Sequence, residues 1–130
     1  MKIKYDASKP IYEQIIDEIK KKIVRGELSS GDKLPSQRGM AKKVEVNPNT
    51  IQRAYREMEN MDLVETKRGL GTFIKEDEDV IANINKEMAQ RTVNKFIDEM
   101  ISLGFSQDEI KDLLKRSLEE NFEREKRREN

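Results

Sequence analysis

Ile11, Ile15, Ile16, Ile19 and Ile23 recur at the three- and four-residue intervals of a single helix face. That spacing predicts an amphipathic helix from Pro10 to about Arg25, stopped by Gly26, after a short polar lead over residues 1–9. Leu28 to Pro35 reads as a turn-rich connection whose leucines plug the core. Ser36 caps a second, short helix with Met40, Ala41 and Val44 inward, and Glu45-Val46 makes a tight turn. A third helix follows to about Met61-Asp62, with Ile51, Ala54, Tyr55 and Met58 at i, i+3, i+4, i+7. Leu63 to Lys67 and Thr72 to Lys75 are expected to pair as two strands around Arg68-Gly69-Leu70-Gly71, whose glycines permit positive φ.

Beyond Glu76 the pattern changes. The acidic run Glu76-Asp77-Glu78-Asp79 suits a helix N-terminus and leads into a long helix to about Leu103. Ile81, Ile84 and Met88 share one azimuth, whereas Val93, Phe96, Ile97, Met100 and Ile101 lie well around the axis. Two faces in succession call for two partners or a bend. The first face is expected to pack near the first three helices, the second on the final helix and a second subunit. Gly104-Phe105 ends this helix, and Ser106-Gln107-Asp108-Glu109 forms a capping box for the last one, with Ile110, Leu113, Leu114 and Leu118 as its stripe. After Glu119 the chain is almost all charge and is expected to fray.

The third helix carries the candidate chemistry. Asn47 is a good N-cap and Pro48 suits the first helical position. Opposite the buried stripe lie Asn49, Arg53 and Arg56, with Thr50 and Gln52 beside them. Amides pair with adenine edges and guanidinium groups with guanine edges, so a capped helix start with these residues outward fits entry into a DNA major groove. Polar residues opposite an apolar stripe also describe any solvated helix, so the neighbouring segments decide. A short helix, a tight turn and a capped second helix make a helix-turn-helix. The hairpin that follows makes a wing, with Lys67, Arg68 and Gly69 placed for phosphate, as Lys42 is.

The chain has 130 residues, 40% of them charged and 35% hydrophobic, which is too little apolar surface for a large monomeric core. Net charge is zero overall, but residues 1–75 carry a net +5 and residues 76–130 a net −5. Only the basic front attracts phosphate. The sequence contains neither histidine nor cysteine. That removes thiolate nucleophiles, histidine bases and nearly all zinc sites, so neither an enzyme nor a metal or other cofactor is expected. No apolar run approaches the roughly 18 residues of a membrane span. A cytoplasmic protein with no membrane partner is expected, and the lack of cysteine fits a reducing compartment.

In order along the chain come Ile11-Tyr12-Glu13-Gln14-Ile15, then Gly26-Glu27-Leu28 with Gly31-Asp32-Lys33-Leu34-Pro35-Ser36-Gln37-Arg38. Val46-Asn47-Pro48-Asn49-Thr50 and Lys67-Arg68-Gly69-Leu70-Gly71-Thr72-Phe73 follow. This series resembles the GntR family of bacterial transcription regulators. The Val-Asn-Pro-Asn-Thr string and the brief C-terminal extension resemble its YtrA-type subfamily. The resemblance implies a mostly α fold with a small β-hairpin. Residues 1–75 would form a winged helix-turn-helix and residues 76–130 a helical dimerisation region with a charged tail.

It further implies DNA contacts at Ser36, Arg38, Asn47, Asn49, Thr50, Gln52, Arg68 and Gly69. Many relatives carry arginine where this chain has Pro48 and Gln52, so Arg53 and Asn49 are taken instead from the helical phase as base readers, and Arg56 as a phosphate contact. Gly39 stands where an acidic residue is usual, and Glu45 where glycine often closes the helix-helix turn. Val93, Phe96, Ile97, Met100, Ile101, Ile110, Leu113 and Leu114 are the expected dimer contacts. The function implied is a homodimeric repressor on an inverted-repeat double-stranded operator, with ABC-type transporter operons among its targets. The alternative is an effector-gated switch with a small-molecule pocket at the dimer interface, its effector unknown.

Overall fold

The computed structural model describes residues 2–129; the outermost positions of the expected divisions, 1 and 130, lie outside the described residues. The element order is α1 (Ile11–Val24), α2 (Gln37–Val44), α3 (Pro48–Asn60), β1 (Val64–Lys67), β2 (Gly71–Ile74), α4 (Glu78–Ser102) and α5 (Gln107–Glu129). The chain forms two compact units that divide between Lys86 and Glu87, within α4.

The first unit is built on three helical stripes. Ile15, Ile16, Ile19 and Ile23 of α1 are buried, as are Met40, Ala41 and Val44 of α2 and Ile51, Ala54, Tyr55 and Met58 of α3. Both α1 and α2 pack on α3. Leu34, Leu63, Val64 and Ile74 complete this core, and Ile84 near the start of α4 is buried as well.

β1 and β2 are antiparallel, with Val64 opposite Ile74 and Lys67 opposite Gly71. The connection before α2 does more than turn. The Leu34 N–H donates to the Thr72 carbonyl and the Ile74 N–H to the Asp32 carbonyl, each at 2.8 Å, so residues 31–34 lie along the free edge of β2. An isolated bridge pairs Lys33 with Phe73 there. The polar lead is likewise held in place. Gln14 donates to the Asp6 and Lys9 carbonyls and accepts from the Asp6 N–H, while the Tyr5 hydroxyl donates to the Val44 carbonyl at 2.9 Å.

The second unit holds the rest of α4 and all of α5. The Ser106 capping box forms as the sequence reads: the Glu109 N–H donates to Ser106 Oγ and the Ser106 N–H to Glu109 Oε1. Hydrogen bonding to the Ser106 backbone N–H first, and to the Ser106 side chain second, holds the Glu109 carboxyl below its ordinary value.

Two expectations are corrected here. The chain past Glu119 does not fray, because α5 runs on to Glu129. Charge spacing explains this. Glu120 with Arg124 and Glu123 with Arg127 stand four apart in the favourable order, and Lys126, Arg127 and Arg128 complement the C-terminal end of the helix dipole. Nor does the final helix cover the second face of α4, since α4 and α5 make hardly any contact. Met100 is buried and Ile110 half-buried, but Val93, Phe96, Ile97, Ile101, Leu113 and Leu114 are all exposed.

Candidate nucleic-acid interface

The two helix starts are shaped by their caps. Ser36 Oγ accepts from the Gly39 N–H at 3.0 Å, which places Arg38, exposed, in the first turn of α2. A Cβ at Gly39 would stand 3.1 Å from Ser36 Oγ, a tight approach to the capping atom. The Tyr55 hydroxyl, carried by the buried side of α3, donates to the Pro35 carbonyl at 2.6 Å. It thereby ties α3 to the residue before the α2 cap. Burial pushes the Tyr55 phenol up to about 12.

α2 ends at Glu45, a non-glycine residue in the left-handed region at φ 55°. The Val46 N–H then bonds the Ala41 carbonyl and the chain enters α3. Asn47 Oδ1 accepts from the Asn49 N–H at 2.8 Å. That occupies the oxygen as a cap and leaves the Asn47 amide N–H donors available. Asn49, Gln52, Arg53 and Arg56 are exposed, while Thr50 is half-buried.

Arg53 is not simply extended into solvent. Its guanidinium carbon lies 4.0 Å from the centroid of the Tyr12 ring on α1. Its Nη2 also donates to the Tyr12 hydroxyl at 3.4 Å. Sequence reasoning missed Tyr12 because residues 41 apart share no local pattern.

At the wing, Arg68, Gly69 and Leu70 are exposed. Gly69 has φ 79° and open space where a Cβ would project, so its backbone is free to approach a ligand. Gly71 differs: at φ 117° it packs under Lys33, whose Cε would stand 2.8 Å from an added Cβ. The Lys67 ammonium sits 5.0 Å from the Phe73 ring centroid and 3.7 Å from Glu65 Oε1. Its charge is thus partly balanced, although the side chain stays exposed. Leu70 is an apolar wing tip that charge-based reading passed over.

Capped α2 and α3 joined by a tight turn, followed by a two-stranded wing with a basic tip, define a winged helix-turn-helix protein of the DNA-binding class. Residues 11–74 match the family described as bacterial regulatory proteins, gntR family. The chain is 46% identical over 106 residues to the uncharacterised HTH-type transcriptional regulator YhcF of Bacillus subtilis, covering 82% of this chain and 88% of that one. It therefore belongs to the GntR family of bacterial transcriptional regulators, not to an enzyme family. The HTH-type transcriptional repressor YtrA of Bacillus subtilis is 48% identical over 71 residues, 55% of each chain. A GntR family transcriptional regulator from Listeria monocytogenes superposes with a TM-score of 0.80 at 43% identity, covering 86% of this chain and 98% of that one. Among the described residues, no helix is long and apolar enough to cross a membrane.

Proposed function

We propose that the protein is a repressor that binds an inverted-repeat operator as a homodimer. Each subunit would place the N-terminal end of α3 in a major groove. The observation that carries this reading is the exposed, capped face of α3. It presents Asn49, Gln52 and Arg53 in the first turn and a half, next to a turn that orients it and a wing that follows it.

In this reading Asn49 and Arg53 read base edges. Ser36, Arg38, Asn47, Arg56, Lys67, Arg68 and the Gly69 backbone hold phosphate, and Thr50 and Gln52 flank the reading line. The reading head ends near Lys75, and the helices from residue 76 onward make the dimer. Support for the dimer comes from α4 and α5, which leave Val93, Phe96, Ile97, Ile101, Leu113 and Leu114 uncovered within one chain. Exposed side chains of this size on two facing-capable helices favour burial against a second copy. Promoters of ABC-type transporter operons are the targets that the YtrA-type resemblance suggests.

Selection of bound duplexes from a random library, followed by footprinting on the DNA upstream of the protein's own gene, tests this reading. Two related half-sites in inverted order, about one helical turn apart, are expected. A single half-site, or no enriched sequence, would reject the symmetric dimer or the specific reading respectively.

A further inference from the structure

Tyr12 is half-buried on α1, whose Ile15 and Ile19 pack in the same core as Ile51 and Ala54 of α3. Two rigid elements therefore hold Tyr12 and Arg53 in register. The Arg53 guanidinium lies over the Tyr12 ring at 4.0 Å, and its Nη2 donates to the Tyr12 hydroxyl at 3.4 Å. That hydroxyl in turn donates to Glu13 Oε1 at 3.3 Å. Donation to a carboxylate makes the phenol oxygen a better acceptor for Arg53.

We infer that Tyr12 is a positioning residue for DNA reading: it holds the Arg53 side chain in one pose on the outward face of α3 before DNA arrives. The inference rests on the proposed entry of α3 into the groove. Stacking uses the face of the guanidinium plane, whereas a guanine is met by its N–H edge, so the two contacts are compatible. A free arginine would have to surrender rotamer freedom on binding, and prior stacking removes part of that cost. The rival geometry, in which Tyr12 holds Arg53 away from DNA, makes the opposite prediction for the same substitution.

The test measures fluorescence anisotropy on the selected operator and its single-base variants, using the full chain with Tyr12→Ala, Tyr12→Phe, Arg53→Ala and the double substitution Tyr12→Ala with Arg53→Ala. Tyr12→Ala is expected to weaken operator binding roughly threefold to tenfold. It should also blur preference at the same base pair that Arg53→Ala blurs. Tyr12→Phe keeps the ring and should lose less than about twofold. The double substitution should bind no more weakly than Arg53→Ala alone, with unchanged helical content by circular dichroism.

Equal losses from Tyr12→Ala in the presence and absence of Arg53 would overturn the positioning role, and so would tighter binding. If Arg53→Ala lowers all sequences alike, base reading by Arg53 fails, yet coupling of the two losses would still uphold positioning. If Arg53→Ala changes nothing at all, both ideas fall.

Discussion

Phe96 offers the sharpest test of what the second half of the chain is for. In one chain its side chain remains 36% exposed on the second face of α4. A phenylalanine offers about 200 Å² in all, so roughly 70 Å² per subunit awaits a partner, worth about 1.8 kcal/mol at 25 cal/mol per Å². Two-fold symmetry counts every such residue twice. After deducting what alanine would still bury, Phe96→Ala should weaken the dimer by about 3 kcal/mol, or roughly 150-fold in dissociation constant. Sedimentation equilibrium over a wide concentration range measures this directly, with circular dichroism confirming that the helices persist. An unchanged dissociation constant would remove Phe96 from the interface. A wild-type chain that stays monomeric throughout would remove the interface itself.

Other consequences follow from the first unit. Arg53→Ala should relax preference at one base pair per half-site by about 1–3 kcal/mol, while Arg56→Ala should weaken all sequences alike; a single-base operator panel separates the two. Tyr55 ionises at about 12 in the folded state against 10 for an unperturbed phenol. Its contribution is therefore complete below pH 10 and is lost as pH rises toward 12, and Tyr55→Phe should abolish that part of the alkaline destabilisation in urea melts. Glu45 holds a left-handed conformation at φ 55°. Glu45→Gly should therefore raise stability by about 0.5–1 kcal/mol, seen as a higher melting temperature, and a lower one would mean that its side chain is needed.

How much of this could be read from the sequence depends on distance along the chain. The three stripes, the Asn47 and Ser36 caps and the Ser106 capping box are local patterns, in which one turn of helix carries its own signal. They stand in the structure as read, except that Ile11, at the head of the first stripe, is exposed. Tyr12 under Arg53, Tyr5 on Val44 and Tyr55 on Pro35 join residues 41, 39 and 20 apart, and no periodicity announces them. The strand-like edge at residues 31–34 was hidden for a related reason. Gly31 and Pro35 read as turn signals, although the residues between them bond to β2. At the other end, composition misled where spacing would have served. The run after Glu119 is nearly all charge, but its charges alternate at the interval that supports a helix.

The central claim is that the basic head engages duplex DNA through its phosphates and that α3 reads the groove. Titration of the selected operator from low to physiological salt tests it most directly. The account predicts that log K falls linearly with log salt, by about 0.9 for each phosphate contacted, and steeply because two heads contribute. A flat salt dependence over that range would contradict it.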